Sequence, residues 1–335
     1  MILSLGVSPM RRRDFITLVG GGIAVRPLAA QAQQAGKLPT IGFLVAGTPT
    51  SHGQWVAAFM QRLRELDWIE GRTITIEYRW AEGRDERFAE IAAELVRRQV
   101  DVIVTSATAA IVAAKQATSV IPIVFAAAGD PVGTGLVASL ARPGGNVTGL
   151  SIQQTDVAAK RVELLREIVP GLRRLAILGN VSGPAVVLEM REIQAAARTL
   201  GLEVITSEIR RGEDIAPAFA ALKGHADALD VAVDPLVNAH RLRINILALG
   251  ARLPTMHNGR EWVESGGLMS YGANVPDLFR RAANLVDKIL RGTKPGDIPV
   301  EQPSKFDLII NLTTAKALDL LIPESFLLRA DEVIE

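Results

Sequence analysis

Ser106 and Thr108 stand on either side of an alanine, directly after the apolar run VDVIVT at 100–105. A hydroxyl pair entering a helix has two uses. Each oxygen can cap a free backbone N–H, or both can join those N–H groups in holding a carboxylate, which the helix dipole also favours. Asp130 and Asp234 follow other apolar runs and could each meet an ammonium group. Both precede proline, so both also read as turn formers. Ser51 closes the TPTS segment after the run at 40–47, Asn180 and Ser182 follow RLAIL, and Tyr271 ends LMSY. Tyr271 could stack on a ligand or fill core. Trp55 and Trp262 read as packing residues.

Enzymatic chemistry finds little support in the motifs. No G-x-S-x-G elbow occurs, nor a Walker A sequence. GTGLVA at 133–138 matches G-x-G-x-x-A in form, but it lies several residues past its strand, and Pro143 cuts off the helix that it should open. His52, His225, His240 and His257 lack metal-ligand spacing. The expectation is a non-enzyme without cofactor or metal.

The elements that must position these residues alternate. Strands are read at 40–47, a buried run, at 73–80, which alternates with Ile74, Ile76, Tyr78 and Trp80 on one side, and at 100–105, 121–126 and 146–152, and again at 174–180, 202–208, 228–234, 253–258 and 266–272. Helix-period segments lie between them, one carrying Trp55, Phe59 and Leu63 on a single face. Later helices are read at 159–169, 187–200, 215–222, 236–249 and 277–290. This alternation predicts parallel sheets with helices on both faces. The halves echo each other in order: TIGFLVAG with RLAILGN, VDVIVT with ALDVAVD, VIPIVF with RLPTMH, and GGNVTGLSI with SGGLMSYGA. Two similar lobes follow, with the chain crossing near 152, 265 and 300. In open parallel sheets, ligands sit beyond the carboxyl ends of the strands. Two such edges facing each other make a clamp for a small polar molecule.

The 335 residues fit about two domains. The formal charge of +1 is misleading, because residues 1–32 carry four arginines and one aspartate, a net +3 that leaves −2 for the rest. That balance gives no reason to expect a nucleic-acid partner. The leader itself reads as an export signal. Arg11, Arg12 and Arg13 form a basic start, 15–25 a glycine-diluted apolar run too short for a bilayer, and Ala30-Gln31-Ala32 a cleavage site. Met10 could equally be the first residue. No cysteine is present to carry a lipid anchor or a disulfide.

Three stretches then point to a family: the RRDFI leader, DPVGTGLVASLARPGGNVTGLS at 130–151, and the block GREWVESGGLMSYGANVPDLFRRAANLVDKIL that opens 259–335. Together they resemble the ABC-transporter substrate-binding proteins of the tryptophan/aromatic-amino-acid-binding-like family, from about Leu38 to Glu335. GNVSGP at 179–184 stands where that family more often carries an Asn-Pro-rich loop. The resemblance implies a type I periplasmic-binding-protein fold: two Rossmann-like lobes joined by three crossings and closing on a ligand. It implies lobe one at 38–152 and 266–299, and lobe two at 153–265 and 300–335, after a twin-arginine-type signal at 1–32. It also implies delivery to ABC permease subunits in the inner membrane, with no membrane insertion of the mature chain, and cleft roles for Ser106, Thr108, Asp130, Asn180, Asp234 and Tyr271.

The expected function is therefore periplasmic capture of an amino-acid-like or carboxylated molecule. A ligand sensor presenting its closed form to a membrane receptor is the alternative, and a periplasmic enzyme a third. The leader generates the first test. A reporter fused to residues 10–40 should reach the periplasm, and Arg12→Lys combined with Arg13→Lys should abolish export. Export that survives the double change but stops when the general secretory route is blocked would assign the leader to that route.

Overall fold

The computed structural model describes residues 37–335; the leader read at 1–32 lies outside them. Every run read as a strand from 40 to 272 contains one. Strands β1 (Thr40–Val45), β2 (Thr75–Trp80), β3 (Val102–Thr105), β4 (Ile123–Ala128) and β5 (Val147–Ser151) form an all-parallel sheet in the order β2-β1-β3-β4-β5. Strands β6 (Arg174–Asn180), β7 (Glu203–Ile209), β8 (Ala228–Val231), β9 (Thr255–His257) and β10 (Met269–Ala273) repeat that order as β7-β6-β8-β9-β10. The in-order echoes of the sequence are thus structural equivalences. The second sheet then extends past its repeat by β11 (Phe306–Asn311), antiparallel to β10, and β12 (Glu332–Ile334), parallel to β11.

Helices cover both faces of each sheet, because strands apolar on both sides must be buried on both. On the first sheet, α1 (Pro49–Glu65) packs beside α10 (Val275–Leu290), while α2 (Arg87–Arg97) and α3 (Thr108–Ala117) cover the other face. Phe43 sits between Phe59 and Phe279, with ring centroids 5.2 and 6.4 Å away. Each such buried side chain contributes about 1.5–3 kcal/mol. On the second sheet, α4 (Ala158–Ile168) and α5 (Pro184–Thr199) share one face with α11 (Leu312–Ala317) and α12 (Glu324–Leu327). The opposite face carries α6 (Ile215–Leu222), α7 (Pro235–Ala239), α8 (Arg241–Gly250) and α9 (Arg260–Glu264).

Two readings change. The single helix read at 236–249 is two, broken at His240, whose N–H already turns back to the Leu236 and Val237 carbonyls. The crossing read near 265 falls after Ala273. The strand at 269–273 is hydrogen-bonded between β9 and β11, with Ser270 opposite His257 and Tyr271 opposite Leu308, so it belongs to the second sheet rather than to lobe one. It is the counterpart of β5, and the repeat is complete only with it. The chain therefore passes between the sheets along 152–157, at Asn274, and through 298–305. The first and third passages run side by side: Ser151 N–H donates to Glu301 and Glu301 N–H to Gly149, each at 2.9 Å.

At Gly149, β5 runs tight against β4. A Cβ there would lie 2.1 Å from the Phe125 carbonyl oxygen and 2.4 Å from its ring. Backbone cannot yield as a flexible side chain does. Gly149→Ala should destabilise the protein by about 1–3 kcal/mol, the usual cost of overpacking, read as a lower urea midpoint. A midpoint equal to that of the parent would show that the β4–β5 pair can open to admit a methyl group.

Candidate functional site

The carboxyl ends of β3, β4, β6, β8 and β9 converge on one cavity of about 90 Å³. One water needs about 10–15 Å³ on the same measure, so the space suits a small organic molecule. Its walls come from both lobes and from the passages between them.

Of the helices that start at this cavity, α3 of the first lobe and α5 of the second have no side-chain cap, nor has the short α9. α3 begins after Ala107, whose φ of 68° and ψ of 134° lie outside the usual regions for an L-residue. Ala107 N–H is held by the Ala127 carbonyl at 2.9 Å, which fixes the turn. Ser106, Ala107, Thr108 and Ala109 line the cavity. Neither hydroxyl caps α3; the Thr108 hydroxyl instead accepts the Gly129 N–H at 3.4 Å. α5 begins after Gly183 with Pro184 in its first turn, and Gly183, Ala185 and Val186 line the opposite wall. The first N–H groups of a helix have no partner within it, and the helix dipole adds positive potential at that end. Two such ends meeting in one space favour a carboxylate.

Asp234 supplies the opposite charge. It is 7% exposed, lines the cavity and caps α7 by accepting the Leu236 N–H at 2.8 Å. Its Oδ1 also accepts Asn180 Nδ2 at 3.1 Å. Burial first, and then the charge of Asp85, push its pKa up to about 7. Such a carboxyl gains from a cation placed beside it.

Aromatic surface completes the site. Trp55 and Trp262, read as packing residues, both line the cavity, as does His52. His52 meets Trp55 edge-on at 4.3 Å, and burial takes its pKa down to about 3, so the ring is neutral. Trp262 stacks on His257 at 4.4 Å. A polar link spans the lobes here: Trp55 Nε1 donates to Glu261 Oε1 at 2.5 Å, and Gln54 Nε2 donates to the same oxygen at 3.3 Å.

Of the residues read from the sequence, Ser106, Thr108 and Asp234 are brought together on the cavity. Asn180 lies behind Asp234 and orients it. Ser51 shares a reciprocal cap with Thr48 at the start of α1 and holds His52 Nδ1 at 2.8 Å. Asp130 is the turn former: its Oδ1 accepts the Gly133 N–H at 2.7 Å, and it does not line the cavity. Ser182 is exposed beside the mouth of α5. Tyr271 packs against Phe306 at 5.8 Å, over the core of the second sheet. Gln154 and Glu261 were not anticipated; the sequence signs were Gln154's place just after the first crossing and Glu261's place in the block that opens at 259.

Gln154 ties the first passage to a buried charge network below the cavity. Its Nε2 donates to Glu189, which also accepts the Val233 N–H at 2.8 Å and pairs with Arg161. Gly129 makes room, since a Cβ there would lie 2.4 Å from Gln154 Oε1. Arg161, Glu189 and Asp230 are wholly buried, with Arg161 3.5 Å from Asp230. Burial raises the pKa of Asp230 to about 7 against the pull of Arg161, and takes His257 down to about 3.

Comparison with known proteins gives a consistent set of relatives. The family described as ABC transporter substrate binding protein matches residues 49–334. A tyrosine-binding protein of Clostridioides difficile is 30% identical over 266 residues, covering 78% of this chain and 75% of that protein. Among solved structures, an ABC domain in complex with L-Trp from Streptococcus pneumonia superposes with a TM-score of 0.84 at 28% identity, over 89% of this chain and all of that one. The ligand-free, open structure of a substrate-binding protein with adhesive properties from Clostridium difficile gives 0.64 at 26% identity, over 89% and 99%. The architecture is that of type I periplasmic binding proteins.

The network below the cavity provides a stability test. Arg161→Met leaves Glu189 and Asp230 buried without their cation, which should cost about 3–5 kcal/mol at neutral pH. The Asp230 carboxyl, about 7 even beside Arg161, rises further once that cation is gone. The variant's folded state then keeps a proton to higher pH than the parent's, so the loss should be smaller at low pH than at high pH. Urea unfolding at pH 8 and pH 5.5 reads both effects; a loss that does not vary with pH would contradict the assignment.

Proposed function

Because the chain belongs to the ABC transporter substrate-binding protein family, we propose that it captures an aromatic L-amino acid in the cavity between its lobes. The observation that carries this reading is the meeting of two uncapped helix starts with a buried carboxyl in one space. The ligand carboxylate takes the N–H groups at the starts of α3 and α5, helped by Ser106 and Thr108. Its ammonium takes Asp234. Its ring lies among Trp55, Trp262 and His52. The tyrosine and tryptophan named for the two relatives support an aromatic side chain.

Binding works by closure. The two walls belong to different sheets, and three passages join them, so ligand contacts to both walls favour the closed arrangement over the open one. The better superposition on the L-Trp complex than on the open, ligand-free structure supports reading this arrangement as closed. After export and removal of the leader near Ala32, the protein works in the periplasm and hands its ligand to ABC permease subunits. Among the described residues, no helix is long and apolar enough to cross a membrane.

Calorimetry with L-tyrosine and L-tryptophan tests the reading. Asp234→Asn keeps a side chain able to cap α7 but removes the charge. A charge-assisted hydrogen bond contributes about 1.5–3 kcal/mol, so affinity should fall between about tenfold and a hundredfold. Scattering should show a smaller radius of gyration on saturation with whichever amino acid binds. Equal affinities in parent and variant would place the ammonium elsewhere, and no binding of either amino acid would remove the proposed ligand class.

A further inference from the structure

Asp85 lies outside the ligand cavity, in the loop between β2 and α2 on the first lobe, and is half-buried. That loop presses on the start of α7 in the second lobe. A Cβ on Gly83 would come 3.3 Å from the Pro235 carbonyl oxygen and 3.4 Å from the Ala239 methyl. Asn180, at the end of β6, hydrogen-bonds Asp234 at 3.1 Å, and Asp85 lies within electrostatic reach of both Asn180 and Asp234. Closing the lobes therefore gathers two carboxyls, one from each side, around a single neutral amide.

We infer that Asp85 makes closure of the cleft depend on one positive charge at Asp234, supplied either by a ligand ammonium or by a proton, and so acts as a specificity-determining residue that rejects ligands lacking an amino group. The inference rests on the proposed amino-acid reading for its choice of ligands, though not for the carboxyl pair itself.

The surroundings leave that demand unmet. On the loop, Arg84 and Arg87 are both paired to Glu82, at 2.8 and 3.2 Å, and Glu86 adds negative charge. From β6 comes only the neutral Asn180. α7 carries no charged side chain between Pro235 and Ala239, and His240 at its end is pushed below its ordinary pKa by burial. His52 of α1 is neutral, Arg241 of α8 donates to the Asn238 carbonyl, and Glu189 of α5 is taken by Arg161. Burial raises both carboxyls, Asp85 above its ordinary range and Asp234 to about 7, with each other's neighbourhood adding to the shift at Asp234. The sign follows: a carboxyl whose pKa is higher closed than open favours closure as pH falls through about 7.

The test compares L-tyrosine with 3-(4-hydroxyphenyl)propanoate, the same molecule without its amino group, on the parent protein and on Asp85→Asn. In the parent, affinity for the propanoate should rise about tenfold from pH 8 to pH 6, the factor for uptake of one proton at a pKa near 7, while affinity for L-tyrosine does not rise. In Asp85→Asn the rise should largely disappear, and the preference for L-tyrosine at pH 8 should fall about tenfold. A ligand-free arm reads the carboxyl pair directly: lowering the pH from 8 to 5.5 should shrink the radius of gyration of the parent, and that of Asp85→Asn less. If neither compound binds but this difference in compaction appears, the carboxyl pair stands and the ligand class falls. If L-tyrosine binds, yet preference, pH slope and compaction are the same in both proteins, the inference is overturned and the ligand class stands.

Discussion

A parallel strand that runs straight into a helix leaves the first N–H groups of that helix without partners, and this protein leaves two such ends open at the same point. At α3 the opening is enforced. Ala107 holds a backbone conformation that costs an L-residue on the order of 1–3 kcal/mol, and its N–H is clamped to Ala127. At α5, Gly183 and Pro184 begin the helix with no side chain reaching back. The rest of the architecture serves this meeting. The sheets must be separate for the two ends to face each other, and the passages between them must be short for the ends to meet.

The charges around the cavity are handled in two ways. Below it, Arg161 is shared between Glu189 and Asp230 in a space without water access, where removing one partner costs more than the pair contributes. Glu189 passes the order upward, holding the Val233 N–H on the cavity wall and Gln154 in the first passage with one carboxylate. At the cavity itself, no cation among the described residues answers Asp234. Its partners are an amide and a backbone N–H, which orient the carboxyl but do not balance its charge. A rigid, neutralised floor under an unbalanced wall suits a pocket that keeps its shape while waiting for a charged guest.

Trp55 and Trp262 show that packing and lining a cavity are not exclusive roles. Trp262 is 3% exposed and belongs to the core of the second sheet, yet one side of it lines the cavity. Trp55 packs against Phe279 at 5.6 Å while donating to Glu261 on the other lobe. In a chain with only 4% aromatic residues, two of the four tryptophans are spent where the lobes meet.

Local chemistry by itself determined the strands, most of the helices and the doubled order of the lobes, because apolar runs of strand length and 3.6-residue periodicity are properties of neighbouring residues. The C-terminal strands β11 and β12 were not read from the local pattern, although FDLIIN at 306–311 is itself an apolar run. Strand ends also narrowed the site, since ligands gather beyond the carboxyl edges of parallel strands; Ser106, Thr108 and Asp234 were legible for that reason. What tertiary structure decided was which strand ends face inward. Asp130 and Asp234 both precede proline, but a turn to Gly133 satisfies the first and burial between two lobes leaves the second short of a counter-charge. Tyr271 was lost to the core because β10 completes the second repeat and pairs with β11. Gln154, Glu189 and Glu261 act across 35 to 207 residues of sequence, and no local pattern encodes a partner that only the folded chain brings within reach.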